Sequence, residues 1–99
     1  MKDKVVVITG ASSGIGRALA LTYAQNGFKL VLAARNKEKL DQLAEDIQER
    51  KIDVLAVKTD VSNEDDCKKL VQSAFDKFGQ IDILINNAGI SMRALFKDL

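Results

Sequence analysis

A glycine-rich stretch at residues 9–16 constrains the fold of this chain more than any other feature. The stretch reads Thr-Gly-Ala-Ser-Ser-Gly-Ile-Gly, follows an apolar run rich in Val and Ile at residues 4–8, and precedes a segment with helical periodicity. This order predicts a buried strand, a tight turn and a helix. The first turn of a helix leaves backbone N–H groups unpaired, and these groups and the helix dipole bind phosphate. The sequence therefore predicts a phosphate-binding turn between a strand and a helix.

The three glycines of this stretch have separate predicted roles. Gly10 makes a turn that calls for a positive φ, Gly14 lets the backbone approach a pyrophosphate, and Gly16 lets the helix pack closely on the strand. Ser12 and Ser13 add hydroxyl groups that can cap the helix or bind phosphate oxygens. The spacing G-x-x-x-G-x-G differs from both the usual dinucleotide motif G-x-G-x-x-G and the P-loop.

Composition and charge narrow the class of protein. With 99 residues, 46% of them hydrophobic, and a net charge of +1, we expect one domain over residues 1–99 and neither a nucleic-acid nor a membrane partner. The sequence has no histidine and one cysteine, Cys67, so it excludes His-based catalysis and an internal disulfide, and we expect no metal site. The first apolar run is too short for a signal peptide, and we expect a cytoplasmic protein.

Apolar runs alternate with helical segments along the whole chain, and this alternation predicts an α/β fold with a parallel sheet covered on both faces. We predict strands at residues 4–8, 29–33, 54–58 and 81–85. Helices are predicted at about residues 13–26, at about residues 36–51, and from the capping-box pattern at residues 62–65 to Gly79. Ile15, Ala18 and Leu19 are predicted to face inward on the first helix, and Cys67 is predicted to be a core residue of the third.

Ligands of an open parallel sheet bind beyond the carboxyl ends of its strands. After the second strand, a carboxylate would accept hydrogen bonds from the 2′-hydroxyl of an adenosine ribose, but Ala34 and Arg35 stand there instead. A guanidinium binds phosphate through paired donors, so Arg35 favours NADP(H) over NAD(H), with Asn36 as a second phosphate donor. The alternative is that Arg35 is simply a solvated residue.

Polar and small residues also follow the third and fourth strands. Asp60 lies where its carboxylate can accept a hydrogen bond from an adenine amino group, or it forms a turn before the third helix. Asn87, Ala88 and Gly89 have small side chains, which would let a ribose or nicotinamide approach the backbone. The sequence therefore predicts a dinucleotide site along one edge of the sheet.

The glycine stretch, Asp60-Val61 and Asn86-Asn87-Ala88-Gly89 stand in an order and spacing that resemble the short-chain dehydrogenases/reductases, over essentially the whole chain. The resemblance implies a Rossmann-type, doubly wound sheet with strand order 3-2-1-4, in which Asn86 braces the sheet. It also implies that the cofactor is bound by residues from all four strand ends. These residues are Gly10, Ser12, Ser13, Ile15, Arg35, Asp60, Val61, Asn87, Ala88 and Gly89. Together with Gly14, Gly16 and Asn36, whose roles are predicted above from the residues themselves, they form the predicted cofactor site.

The resemblance further implies a reversible hydride transfer between nicotinamide and a small carbonyl or alcohol substrate. The serine, tyrosine, lysine and asparagine that catalyse it in the family come later in the fold. The only tyrosine, Tyr23, lacks the Tyr-x-x-x-Lys pattern, and Ser91 follows the fourth strand too closely to be the catalytic serine. We therefore expect no catalytic residue in this sequence, which would be the N-terminal part of an oxidoreductase and inactive alone.

Two other interpretations remain open at this point. One is a non-catalytic nucleotide-binding or interaction module, and the other, less favoured, is a related epimerase or a methyltransferase. The fourth strand is expected to present an unpaired apolar edge, through which the isolated chain would associate, and a homo-oligomer is one possible outcome.

Overall fold

The computed structural model describes residues 3–87. Strands and helices alternate along them in the order β1 Val5–Thr9, α1 Gly14–Gln25, β2 Lys29–Ala34, α2 Lys37–Gln48, β3 Val54–Lys58, α3 Glu64–Phe78 and β4 Ile83–Asn86. All strand pairs are parallel, and the sheet order is β3-β2-β1-β4. This topology confirms the predicted Rossmann-type, doubly wound α/β fold. Strand boundaries agree with prediction to one residue, except that β4 begins two residues later.

The strand register brings the four strand ends to one edge of the sheet. Thr9 at the end of β1 lies opposite Ala33 of β2 on one side and Asn86 of β4 on the other. At the end of β3, Lys58 lies opposite Ala34. Because all strands run in the same direction, the loops that follow them share this edge, as predicted.

Alternate residues of the strands face two separate apolar clusters, one on each side of the sheet. Ile8 and Leu32 belong to the cluster beneath α1 and α2, whereas Val7 and Val31 belong to the cluster beneath α3. Cys67 is buried in the second cluster and burial raises the pKa of its thiol, so the prediction of a core cysteine is confirmed.

The inward face of α1 differs from the prediction. Ile15 and Ala18 are exposed, and the buried positions are Gly16, Ala20 and Ala24. These small residues recur every four positions and form a stripe along which the helix packs closely on β1 and β2. The prediction of Ile15 and Ala18 as inward residues was therefore wrong. The helix turns the stripe of Gly16, Ala20 and Ala24 toward the sheet, and this orientation leaves Ile15 and Ala18 on the exposed side.

The beginning of α3 is displaced by one residue from the predicted capping box. Asn63 is the N-cap, and its side chain accepts a hydrogen bond from the Asp66 N–H at 3.1 Å. Ser62 lies before the helix, and its N–H and hydroxyl both donate to Asp60 Oδ1. The sequence contains two consecutive capping residues, and the bonds of Ser62 to Asp60 leave Asn63 as the residue that caps the helix. The helix ends at Gly79, as predicted, and Gly79 has the left-handed conformation of a C-cap glycine, with a φ of 75°.

A carboxylate joins the beginnings of the two strands β1 and β4. Asp82 Oδ2 accepts hydrogen bonds from the Val5 N–H at 2.8 Å and from Gln80 Nε2 at 2.7 Å, and Lys4 Nζ lies 3.8 Å from Oδ1. The Val5 N–H bond, with smaller contributions from Gln80 and Lys4, holds the pKa of Asp82 below its usual value. A carboxyl group with a lowered pKa stabilises the fold above its unfolded pKa, and this stabilisation is lost as the pH falls through the folded pKa.

We therefore predict an acid-sensitive link between β1 and β4. The urea midpoint of the wild type should fall as the pH drops below about 4. Asp82→Asn should weaken this pH dependence. The control variant Asp76→Asn, on the exposed face of α3, should leave it unchanged. Asp60 also has a lowered pKa, so Asp82→Asn should retain part of the dependence. Identical pH profiles for wild type and Asp82→Asn would contradict the prediction.

Candidate functional site

The glycine turn after β1 is held by backbone and side-chain contacts within a few residues. Gly10 has a φ of 64°, as predicted for a turn that only glycine adopts readily. The Ala11 N–H donates to the Ala33 carbonyl at 3.0 Å, which fixes the turn to β2. The Ser13 hydroxyl donates to the Gly10 carbonyl at 2.8 Å and makes no cap bond to the helix. The first-turn N–H groups of α1 therefore receive no acceptor from their N-cap side chain.

Gly14 and Gly16 differ sharply in the space around them. A Cβ atom built on Gly16 would overlap the Gly10 carbonyl oxygen and lie 2.8 Å from the Gly10 carbonyl carbon and 2.9 Å from Asn87 Nδ2. A Cβ atom on Gly14 would meet no heavy atom within 4 Å. Gly16 thus serves the close packing predicted for it, whereas nothing in the fold of residues 3–87 requires a glycine at position 14.

The two asparagines after β4 fix the turn from the other side. Asn86 Oδ1 accepts a hydrogen bond from Thr9 Oγ1 at 2.9 Å, which joins the ends of β4 and β1. Asn87 Nδ2 donates to the Gly10 carbonyl at 3.3 Å and to Ser13 Oγ at 3.2 Å. The structure therefore brings Asn87 to the glycine turn and gives it a bracing contact that the sequence did not predict. Ala88 and Gly89, also predicted site residues, lie outside the described residues.

A cleft of about 340 Å³ lies beside the glycine turn, at the ends of β2 and β3. It brings together six of the predicted site residues, and Ala34, Thr59 and Ser62 complete its walls. The residues that line it are Gly10, Ser12, Ala34, Arg35, Asn36, Thr59, Asp60, Val61 and Ser62. Thr59 and Ser62 were not among the predicted cofactor residues. Thr59 directly follows the third predicted strand, and that position is a signal that identifies it, whereas Ser62 has no such signal.

Polar groups in the cleft are already oriented by local hydrogen bonds. Asp60 Oδ1 accepts hydrogen bonds from the Ser62 hydroxyl at 2.6 Å and the Ser62 N–H at 3.0 Å, and these bonds, with a smaller contribution from Arg35, lower the pKa of Asp60. This geometry is that of the predicted turn former, and contact with adenine stays a prediction. Asn36 caps α2 by accepting a bond from the Lys39 N–H at 3.1 Å, so its amide oxygen serves the helix. Its side-chain nitrogen is the group that suits the predicted phosphate contact.

Ile15 projects from the first turn of α1, next to Gly14. It is 70% exposed, and it is the one exposed large hydrophobic residue among residues 3–87. A single exposed apolar side chain is common on protein surfaces and does not by itself mark a binding surface. Contact of Ile15 with a cofactor stays a prediction.

Over residues 3–87, the structure contains no cluster of three or more His, Cys, Asp or Glu side chains arranged to bind a metal ion. In the same range, no helix has both the length and the apolar character that crossing a membrane requires.

A parallel sheet of order β3-β2-β1-β4, with a glycine turn leading into α1 at its carboxyl edge, defines the Rossmann class of α/β proteins. Residues 4–99 match the short chain dehydrogenase family, and the chain belongs to that family.

Relatives and solved structures agree with this assignment. An uncharacterised oxidoreductase of Listeria monocytogenes is 49% identical over 90 residues, which are 91% of this chain and 36% of the relative. The 11-beta-hydroxysteroid dehydrogenase-like 2 of Arabidopsis thaliana is 48% identical over 96 residues, which are 96% of this chain and 31% of the relative. The chain thus spans about a third of the length of these relatives.

Two solved structures of the same fold carry a nicotinamide cofactor. A short chain dehydrogenase/reductase from Burkholderia phymatum in complex with NAD has a TM-score of 0.82 and 40% identity, over 84% of this chain and 30% of that one. An NAD⁺-bound xylitol dehydrogenase has a TM-score of 0.85 and 35% identity, over 90% of this chain and 34% of that one.

Proposed function

We propose that this chain supplies the cofactor-binding part of an oxidoreductase that transfers a hydride between a nicotinamide dinucleotide and a carbonyl or alcohol substrate. The observation that carries the proposal is the continuity of the glycine turn with the cleft, since Gly10 and Ser12 line the same cleft as Arg35 and Asp60. Family membership and the nicotinamide cofactors in related structures support it.

The residues of this chain fit a dinucleotide in three places. The turn offers the first-turn N–H groups of α1 and open space above Gly14 to a pyrophosphate. The cleft offers Asp60 and Val61 to an adenine. Asn87, with Ala88 and Gly89 after it, would line the path to the nicotinamide ribose. The bound cofactor would supply the hydride, and these residues would orient it.

We further propose that the cofactor is NADP(H) in preference to NAD(H). The end of β2 carries no carboxylate to accept hydrogen bonds from a ribose 2′-hydroxyl, because Ala34 and Arg35 stand there. Arg35 is exposed, lines the cleft and is in no ion pair with another residue of the part described. Its planar guanidinium suits a phosphate through two parallel hydrogen bonds. The NAD bound to related structures belongs to those proteins, so the preference of this chain requires its own measurement.

The test is a calorimetric titration that measures the dissociation constants of the protein for NADP⁺ and for NAD⁺ in parallel. We expect the wild type to bind NADP⁺ more tightly than NAD⁺. Arg35→Ala should weaken NADP⁺ binding by about 10- to 150-fold with little change for NAD⁺, because a charge-assisted bond contributes about 1.5–3 kcal/mol. Arg50→Ala makes the same charge change beyond the end of α2, away from the cleft, and is the matched control.

Three results would count against parts of this proposal. Tighter binding of NAD⁺ than NADP⁺ by the wild type would remove the NADP(H) preference. Equal losses for both dinucleotides in Arg35→Ala would mean that Arg35 does not distinguish them. Failure of the wild type to bind either dinucleotide would remove the proposed function itself.

A further inference from the structure

A second cleft lies at the same edge of the sheet, with a volume of about 470 Å³. It shares Arg35 and Asp60 with the cleft beside the glycine turn, and Lys58 and Asp66 complete its lining. Lys58 is the last residue of β3 and lies opposite Ala34 in the parallel register. The register therefore brings a lysine from β3 and the arginine that follows β2 to a common cleft.

The two carboxylates of the second cleft are engaged by internal donors. Asp60 Oδ1 accepts both hydrogen bonds from Ser62, and Asp66 Oδ2 accepts a hydrogen bond from the Asp60 N–H at 3.0 Å. These bonds hold the carboxylates in the wall of the cleft. Asp60, with its lowered pKa, remains ionised at neutral pH.

The two cations of the cleft lack such partners. Neither Arg35 nor Lys58 is in an ion pair with a residue in the range 3–87, whereas Lys37 and Lys68 each pair with a carboxylate one helical turn away. Both Arg35 and Lys58 are exposed, so an anionic ligand can reach them without unfolding any element. Two cations without ion-pair partners in one cleft favour an anion with several acceptor oxygens.

The charges that line the cleft explain why Arg35 alone would be insufficient to bind a phosphate there. With Arg35 alone, a phosphate entering the cleft would face two carboxylates and one guanidinium, and the surrounding charge would be net negative. Lys58 brings the four charged side chains to neutrality. A phosphate dianion in this cleft would meet a guanidinium that can bind it through two bonds and an ammonium group, while the carboxylates are bonded to their own donors.

We propose that Lys58 is a specificity-determining residue, which together with Arg35 binds the phosphate on the adenosine ribose of NADP(H). This inference rests on the proposed function, since it assigns a residue to a cofactor that the site is proposed to bind. NAD(H) has a hydroxyl group in place of that phosphate, so Lys58 contributes to the binding of one dinucleotide and not the other.

The experiment measures dissociation constants for NADP⁺ and NAD⁺ at one fixed ionic strength in the wild type, Lys58→Met, Lys58→Arg and Lys69→Met. Lys69 is exposed on α3 and lines neither cleft, so Lys69→Met makes the same charge change elsewhere. We expect Lys58→Met to weaken NADP⁺ binding about tenfold and NAD⁺ binding less than about twofold. Lys58→Arg keeps the positive charge and should bind NADP⁺ about as tightly as the wild type. Lys69→Met should change neither dissociation constant.

Each other outcome overturns the inference in a recognisable way. Unchanged NADP⁺ binding in Lys58→Met would show that Lys58 does not contact the phosphate. Equal weakening of both dinucleotides would show that Lys58 acts through the shape of the site and not through the phosphate. Retained NAD⁺ binding serves as the internal check that the variant is folded. If the wild type binds neither dinucleotide, the proposed function fails together with this inference, and that result is distinct from a failure at Lys58 alone.

Discussion

Replacing Gly16 by alanine is expected to destabilise the protein by about 3 kcal/mol, because overpacking at a rigid contact costs about 1–3 kcal/mol and sometimes more. The new methyl group would overlap the Gly10 carbonyl and approach Asn87 Nδ2 to 2.9 Å. Asn87 can rotate away, but Gly10 is backbone with a φ of 64° and accepts hydrogen bonds from Ser13. Relief would therefore require α1 to move off β1.

Urea denaturation of wild type, Gly16→Ala and Gly14→Ala measures this effect, with Gly14→Ala as the control on the same helix turn. The double variant Gly16→Ala with Asn87→Gly removes the side-chain contact and leaves the backbone contact. We expect it to be at least as unstable as Gly16→Ala, because Asn87→Gly also removes the hydrogen bonds from Asn87 to Gly10 and Ser13. A free energy of unfolding within about 0.5 kcal/mol of the wild type for Gly16→Ala would contradict the close packing of α1 on the turn.

Replacing Gly14 by alanine is expected to have the opposite effect to replacing Gly16. It should weaken dinucleotide binding without lowering the stability of the protein. A Cβ atom here meets no heavy atom within 4 Å, and alanine is a better helix residue than glycine by up to about 1 kcal/mol, so stability should be equal or slightly higher. The proposed pyrophosphate, however, requires close approach to this backbone. We expect the affinity for NADP⁺ and for NAD⁺ to fall by about 100-fold, equivalent to about 2.7 kcal/mol.

Binding and unfolding measured on the same Gly14→Ala preparation separate the two effects. Ala18→Val adds bulk to the exposed side of α1 one turn further along, and it should leave both dinucleotide affinities near the wild-type values. Wild-type affinity in Gly14→Ala would mean that no ligand approaches this turn closely. That result would remove the glycine turn from the proposed pyrophosphate site while leaving the cleft at Arg35 and Asp60 to be tested separately.

Much of the fold was predictable because its signals are local. Short apolar runs identified the strands, the positive-φ positions Gly10 and Gly79 coincide with predicted turns, and Cys67 is buried where helical periodicity put it. The errors arose where local signals compete. Two adjacent capping residues were available before α3, and the apolar Ile15 was a more conspicuous candidate for the core than Ala20 or Ala24.

The sequence predicted which residues gather at the carboxyl edge of the sheet, but it did not predict the contacts between them. Six predicted residues line one cleft because the carboxyl ends of parallel strands lie at the same edge of the sheet. The sequence predicted a parallel sheet from the alternation of strands and helices. The bracing of Gly10 by Asn87 joins residues 77 positions apart, and the juxtaposition of Lys58 with Arg35 depends on the register between β2 and β3. Neither contact could be predicted from a local stretch of sequence, because each joins residues that are far apart in the chain.

The sequence by itself determined which segments form strands and helices, where the chain turns, and which residue types stand at the strand ends, since these depend on side-chain periodicity and on glycine. The tertiary structure alone decided which atoms leave Gly16 no room for a methyl group, that Asn87 closes the turn, and that two cations meet in one cleft. The physical reason is that steric exclusion and charge balance depend on distances between atoms, and distances across a sheet are set by strand order and register.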